Sequence, residues 1–75
     1  MIDDKLNKVI KDVLRIDPNG IDENQRFIDM DIWDSMTFMM FIVSIEEEFN
    51  ISLTTDEILN INCIRSAREI VANKI

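Results

Sequence analysis

The sequence predicts an all-α fold: a small four-helix bundle, made of three main helices and one short helix, with a long loop between the first and second helices. The chain has 75 residues, so we expect a single domain, 1–75, with one small core. Apolar residues recur at helical spacing in several segments. The only proline and the only glycine fall together in Asp17-Pro18-Asn19-Gly20, and no repeat or low-complexity segment appears.

An apolar stripe predicts the first helix, and the turn that begins at Asp17 ends it. The stripe consists of Ile2, Leu6, Val9, Ile10, Val13 and Leu14. The other side of this helix carries Lys5, Lys8, Lys11 and Asp12. This division between apolar and charged sides is typical of a helix that packs on a core.

A long polar connection, roughly Ile21 to Trp33, follows the turn. A loop of this length in so small a protein either has a function or packs across the bundle. We expect Phe27 and Ile28 to anchor it to the core. The apolar residues scattered along it are Phe27, Ile28, Met30, Ile32 and Trp33.

The second helix is predicted over Ser35–Phe49, with Asp34 as its N-cap and Asn50 as its end. One apolar stripe, expected in the core, is Phe38, Ile42, Ile45 and Phe49. A second stripe is Met36, Met40, Val43 and Glu47. A helix that is apolar nearly all round either lies in the middle of the bundle or has an exposed apolar face that binds other proteins. We therefore expect Met36 and Met40 to face a partner protein.

Two further helices complete the bundle. Thr54-Thr55-Asp56-Glu57 predicts the start of a short third helix that runs through Ile58 and Leu59. The fourth helix begins near Ile64, with Asn62 as its candidate cap. Its inner side is predicted to be Ala67, Ile70, Val71 and Ile75.

The composition excludes several kinds of chemistry. Histidine and tyrosine are absent and Cys63 is the only cysteine, so no catalytic triad and no zinc site can form. Asp29, Asp31 and Asp34 do not make a calcium loop, because the positions that need glycine and a bidentate acid hold Asp34 and Met40. We therefore expect no enzyme activity, no bound metal, and a Cys63 that serves as a small buried apolar residue.

Charge and targeting signals point to a cytoplasmic protein. A lone thiol is typical of a reducing compartment, and Met1-Ile2-Asp3-Asp4 lacks the basic start of a secretory signal. The longest apolar run, Phe38 to Val43, is too short to span a membrane.

The net charge is −7, and the segment from Asp22 to Glu57 holds ten acids against Arg26 alone. Such a surface repels nucleic acid and attracts basic patches on proteins.

Ser35 stands between an acid and a large apolar residue at the start of the second helix. The unpaired N–H groups and the dipole at a helix N-terminus favour a negative group such as phosphate. No other serine in the chain follows an acid at a helix start. We therefore interpret Ser35 as an attachment point, modified by another enzyme.

Together these segments resemble the acyl carrier protein family, and the resemblance covers nearly the whole chain. It is carried by five stretches: Phe27-Ile28-Asp29, Asp34-Ser35-Met36, Ile45-Glu46-Glu47-Glu48-Phe49-Asn50-Ile51, Asp56-Glu57-Ile58, and Ile61-Asn62-Cys63-Ile64-Arg65-Ser66-Ala67. The family commonly has Asp-Ser-Leu where this chain has Asp34-Ser35-Met36. A long acidic helix follows in both.

The resemblance implies that Ser35 carries 4′-phosphopantetheine, installed from coenzyme A by a phosphopantetheinyl transferase, with Asp34 in support. The thiol of that arm would hold an acyl or aminoacyl group as a thioester, loaded by one enzyme and passed to a downstream synthase or transferase. We expect a monomer. The implied partner-binding residues are Met36, Met40, Val43, Glu46, Glu47 and Glu48. The residues expected to line an acyl pocket are Phe27, Phe38, Ile42, Ile45 and Ile61.

Several positions depart from the fatty-acid carriers of the family. Ile32 and Trp33 replace the glycine and small or aliphatic residue that commonly precede Asp-Ser. Thr37 and Met40 stand where acids are common, and Phe38 is bulkier than usual. These departures favour a specialised carrier for a polyketide, nonribosomal-peptide or aminoacyl pathway, including the D-alanyl and peptidyl type. An adaptor with an unmodified Ser35 is the alternative of a different class.

Overall fold

The computed structural model describes residues 2–31 and 33–75, and these residues contain four α-helices. They are α1 (Ile2–Val9), α2 (Ser35–Phe49), α3 (Thr55–Asn60) and α4 (Ile64–Lys74). No strand occurs within those residues, so the predicted all-α bundle of three main helices and one short helix is confirmed. Ile32, one of the apolar residues of the predicted loop, lies outside the described residues.

The first helix keeps its predicted face but changes its winding. Beyond α1, the chain continues as a π-helical turn over Ile10–Leu14 and ends at Arg15, which has a left-handed backbone with φ 58°. The predicted stripe is confirmed: Leu6, Val9, Ile10 and Leu14 are buried and Val13 packs against them. The side chain of Ile2 is not described. The four charged residues predicted on the other side are exposed.

The loop between α1 and α2 contains two 3₁₀ turns, Pro18–Gly20 and Phe27–Asp29. Phe27 is buried as predicted, with 1% of its surface exposed. Ile28 is 76% exposed, so its prediction as an anchor is wrong. Successive side chains in a 3₁₀ turn point about 120° apart, so a turn that buries Phe27 directs Ile28 into solvent.

The same loop is fastened to the start of α4. The N–H of Phe27 donates to the carbonyl of Asn62 at 2.9 Å, and the N–H of Arg65 donates to the carbonyl of Glu23 at 3.0 Å. The Arg68 guanidinium holds the Glu23 carboxylate through two bonds, of 3.2 and 2.9 Å. It also pairs with Asp3 of α1. These contacts fix the loop, which leads directly to Ser35.

The predicted bounds of α2 are confirmed at both ends. Asp34 caps the first turn, and Asn50 ends the helix with φ 54°, a conformation that asparagine tolerates. The predicted core stripe is also confirmed, since Ile42, Ile45 and Phe49 are buried and Phe38 packs against the core. Phe41 is fully buried as well, although the predicted stripe did not include it.

α3 begins at the predicted position, with a capping box between Thr54 and Glu57. Two predictions about α4 are wrong. Its N-cap is Cys63 rather than Asn62, and the Ser66 hydroxyl accepts the N–H groups of both, at 3.0 Å from Asn62 and 3.1 Å from Cys63. Ile75 is 61% exposed because it follows the last helical residue and is no longer held on the inner face.

Cys63 is half-buried, not fully buried as predicted, because the N-cap of a helix lies at the edge of the core. The core is one apolar cluster. Its residues come from the first helix, the loop, α2, α4 and Ile61 at the end of α3. Its buried members are Leu6, Val9, Ile10, Leu14, Phe27, Phe41, Ile42, Ile45, Phe49, Ile61, Ile64, Ala67 and Val71. Of the helices described, none has the length and apolar character needed to cross a bilayer.

Candidate functional site

Ser35 is the first residue of α2 and is exposed. The residue before it, Asp34, has an extended backbone, and its carboxylate accepts the N–H of Thr37 at 2.7 Å. This is the geometry of an N-cap, which satisfies one of the donors that a helix leaves unpaired in its first turn. The sequence therefore places a hydroxyl at the positive end of a 15-residue helix, open to solvent.

The hydrogen bond from the Thr37 backbone lowers the pKa of Asp34 below its ordinary value of 3.8, and the Thr37 side chain acts in the same direction. Asp34 is therefore ionised at neutral pH, beside the Ser35 hydroxyl. The carboxylate is engaged with the helix end, so it fixes the backbone around Ser35.

Four aromatic rings pack together beside this serine. We call Phe27, Trp33, Phe38 and Phe41 the aromatic cluster. Trp33 stacks on Phe27 with ring centroids 4.3 Å apart, and it meets Phe38 and Phe41 edge-on at 5.4 and 6.2 Å. Phe27 and Phe38 were both expected in the acyl pocket, but no sequence pattern indicated that Trp33 and Phe41 meet them, because the contact between the loop and α2 depends on tertiary packing.

The residues predicted to line an acyl pocket are packed core in this structure. Phe27, Ile42, Ile45 and Ile61 are each 3% exposed or less, and Phe38 is half-buried. Two open surface grooves, of about 690 and 580 Å³, are lined by other residues around Arg15 and Ile16. The predicted pocket stays a prediction, and it requires the packed side chains to move apart.

The predicted partner-facing stripe lies on the surface. Met36 is 73% exposed, Met40 52% and Val43 44%, while Glu47 is also exposed. Met39, 54% exposed, was missed as part of this face. Its helical spacing, three residues after Met36 and four before Val43, was the signal that could have found it. The four apolar residues Met36, Met39, Met40 and Val43 form one patch, which we call the methionine face.

The three glutamates near the end of α2 differ in their surroundings. Glu46 accepts the N–H of Leu53 at 2.9 Å and so ties the following segment to the helix. Glu48 pairs with Lys8 of α1 at 3.5 Å. Glu47 has no ion pair among the residues that the structure describes. Of the three, Glu47 is therefore the charge most open to a partner.

The groups available for chemistry at this site are the Ser35 hydroxyl and the Asp34 carboxylate. In the described ranges, no three carboxylate or thiol side chains converge in a way that could hold a metal ion. The sequence has no histidine to remove the serine proton, and Asp34 already caps the helix. What remains is an exposed hydroxyl at a capped helix end.

Comparison with known proteins agrees with this geometry. The family model described as "Phosphopantetheine attachment site" matches residues 4–71. An acyl carrier protein of Buchnera aphidicola subsp. Schizaphis graminum is 29% identical over 73 residues, which are 97% of this chain and 92% of that protein. An acyl carrier protein of Buchnera aphidicola subsp. Acyrthosiphon pisum is 30% identical over 73 residues, with 97% and 91% covered.

Proposed function

This chain belongs to the acyl carrier protein family, whose members bear acyl groups on 4′-phosphopantetheine, and from that premise we propose that Ser35 is the residue that bears the arm. The observation that carries the proposal is its position. Ser35 is exposed, opens α2 and follows the ionised cap Asp34, inside the matched range 4–71.

The residues at this position fit the group. A phosphodiester on Ser35 lies at the positive end of α2, where the helix dipole favours negative charge. The exposed serine leaves room for a long substituent to project into solvent. When bound, the arm supplies a terminal thiol that holds the acyl group as a thioester.

The attachment is made by a partner enzyme, because this chain has no histidine to remove the serine proton and its Asp34 carboxylate caps α2. In the reaction, the Ser35 oxygen forms a bond to the phosphorus that bears the pantetheine in coenzyme A. The bond to the nucleotide portion breaks, and the serine proton passes to the phosphopantetheinyl transferase. The chain itself remains a carrier and not a catalyst.

We propose that partner enzymes dock on α2. The methionine face supplies apolar area next to Ser35, and Glu46, Glu47 and Glu48 supply negative charge at the other end of the helix. Charges of this kind raise the rate of association with a basic patch, whereas buried apolar side chains prolong the complex. Because Glu48 is paired with Lys8 and Glu46 accepts a backbone N–H, Glu47 is the glutamate best placed to contact a basic patch directly.

We propose that the cargo is an acyl or aminoacyl group and that this chain is a specialised carrier, not a carrier of fatty-acid synthesis. A D-alanyl or peptidyl carrier is a more specific version of this proposal. It is supported by the replacement of acids at Thr37 and Met40 and by the aromatic Trp33 before Asp34. We further propose that the protein acts as a cytoplasmic monomer whose shared partners are a transferase, a loading enzyme and a downstream synthase.

The experiment that tests Ser35 is incubation with coenzyme A and a broad-specificity transferase, followed by intact-mass measurement and peptide mapping. Wild type should gain one phosphopantetheine, on the peptide that contains Ser35. Ser35→Ala should gain none. Ser52→Ala, at an exposed serine after α2, is the matched control and should be modified like wild type. An adduct on the Ser35→Ala variant contradicts the proposal.

A further inference from the structure

Trp33 is the centre of the aromatic cluster. It contacts each of the other three rings, and its stacking on Phe27 is nearly parallel, with 19° between the planes. Phe27 also meets Phe41 edge-on, with centroids 5.2 Å apart. Offset-stacked and edge-on pairs are the favoured arrangements of aromatic rings, so the four hold one another in place.

The aromatic cluster has an inner and an outer layer. Phe27 and Phe41, at 1% and 0% exposure, belong to the buried core, whereas Trp33 and Phe38 are half-buried. Trp33 precedes Ser35 by two residues. Phe38 follows Ser35 by three, which is nearly one helical turn and places the two on the same side of α2. The outer rings therefore form the solvent-facing layer at the attachment end of the helix.

This layer bears on where an acyl chain can go. The inner rings share a core with Ile42, Ile45 and Ile61, the aliphatic residues that a sheltered chain would touch. A chain that enters the core at the Ser35 end of α2 meets the outer rings, and displacing them breaks several ring contacts together. The displaced rings also lose their own apolar burial, so an entering chain replaces one buried apolar surface with another and the net gain is small. Short and polar groups, which bury little apolar area, gain least of all.

Resting on the proposed function, we propose that the aromatic cluster keeps cargo on the Ser35 arm outside the bundle, so that this carrier presents short or polar acyl groups in solvent. Trp33 is the specificity-determining residue, since it alone contacts all the other rings. A long saturated chain is excluded from the core and gains no shelter. Enzymes that act on this carrier therefore meet an exposed thioester whatever the chain length.

The test compares acetyl and dodecanoyl groups, each loaded onto Ser35 from its coenzyme A thioester by a broad-specificity transferase. Hydroxylamine then cleaves the thioester at a rate that falls when the chain is sheltered. In wild type the two rates should agree within about twofold, less than the effect of burying one methylene group. Emission from Trp33, the only tryptophan, should be the same in both forms.

Two variants open the outer layer. In Trp33→Ala and in Phe38→Ala, the dodecanoyl thioester should be cleaved about tenfold more slowly than the acetyl thioester, a factor that corresponds to about 1.4 kcal/mol. Phe38→Ala keeps Trp33, whose emission should shift on dodecanoyl loading. Leu59→Ala removes an apolar side chain that is 74% exposed on α3, and it should behave as wild type. Circular dichroism shows whether each variant is folded. Should Trp33→Ala be unfolded, the test rests on Phe38→Ala.

Each outcome bears on a separate claim. A wild-type dodecanoyl thioester cleaved about tenfold more slowly than the acetyl form overturns this inference and leaves the proposed function standing. The inference is also overturned if the acetyl and dodecanoyl thioesters of Trp33→Ala and Phe38→Ala are cleaved at the same rate, because the aromatic cluster is then not what excludes the chain. Failure to attach any group, seen in the intact mass, overturns the proposed function and this inference with it.

Discussion

Asp34 links the chemistry of the attachment site to the stability of α2. Its carboxylate accepts the N–H of Thr37 and stands beside Ser35, so the residue that ends the loop also fixes the backbone of the serine. The ionised form makes this bond best, which is why the pKa of Asp34 is lowered. Asparagine caps helices nearly as well as aspartate but does not titrate in this range.

We therefore predict that the stability of Asp34→Asn decreases less than that of wild type as the pH falls into the acid range. Because the folded pKa of Asp34 lies below its ordinary value of 3.8, its contribution is complete above that value and is lost as the pH falls through the lowered pKa. Urea unfolding midpoints between about pH 6 and pH 2 measure this. The midpoint of Asp34→Asn should fall less steeply than that of wild type, with Asp31→Asn as the control for the loss of one charge. Parallel curves for Asp34→Asn and wild type would contradict the account.

At the scale of the element, α2 was predicted to the residue because its ends are encoded locally. Asp34 and Asn50 are residues whose side chains and backbone preferences favour the two ends of a helix, and both occupy those places. Its outer face was also readable from spacing, Met39 included, although the predicted stripe omitted that residue. The environment of Glu46 was not, because its bond to Leu53 depends on how the chain turns after the helix.

We predict that Met40→Glu weakens recognition by the phosphopantetheinyl transferase more than Glu47→Ala does. Burying a methionine is worth roughly 1.5–3 kcal/mol and about half of Met40 is already covered, whereas an exposed ion pair is worth about 0–1 kcal/mol. Met40→Glu should lower kcat/KM about fivefold or more, and Glu47→Ala about threefold or less. Glutamate is a good helix former, so the fold should persist.

The control for this pair is Leu59→Glu, which places the same charge on an exposed apolar residue of a different helix, α3. Its kcat/KM should stay within about twofold of wild type if the transferase reads α2. Raising the salt concentration should reduce the difference between Glu47→Ala and wild type and leave the effect of Met40→Glu in place. Equal or reversed losses for the two α2 variants would mean that the methionine face is not the docking surface.

At the scale of the whole molecule, Arg68 joins three parts of the chain. It pairs with Asp3 in α1 and with Glu23 in the loop, 45 residues away in sequence, from its position in α4. No local pattern predicts such a contact. For the same reason Ile28 was placed in the core: residue type suggested an anchor, but the turn that buries Phe27 decides which side chain is covered. The fold class needed only periodicity and caps, whereas the loop and the aromatic cluster needed tertiary contacts.

We predict that Arg68→Met loosens the loop. The substitution keeps most of the aliphatic stem but removes the two-bond contact with Glu23 and the pair with Asp3, which should lower the free energy of unfolding by about 1 kcal/mol. Proteolysis within residues 21–31 should become faster, because the loop is held to α4 through this contact. Arg26→Met removes an exposed local pair with Asp29 and should change either measurement little. The same effect from both variants would show that the loop does not depend on Arg68.

The most direct measurement of the central claim, that this chain carries acyl groups on an arm at Ser35, uses its single cysteine. Cys63→Ser has no thiol of its own, and serine suits the N-cap position that Cys63 occupies. After treatment with coenzyme A and a transferase, this variant should gain one thiol and accept an acyl group as a hydroxylamine-labile thioester. The double variant with Ser35→Ala should gain neither. A thioester that persists without Ser35, or a Cys63→Ser protein that gains no thiol, would contradict the account.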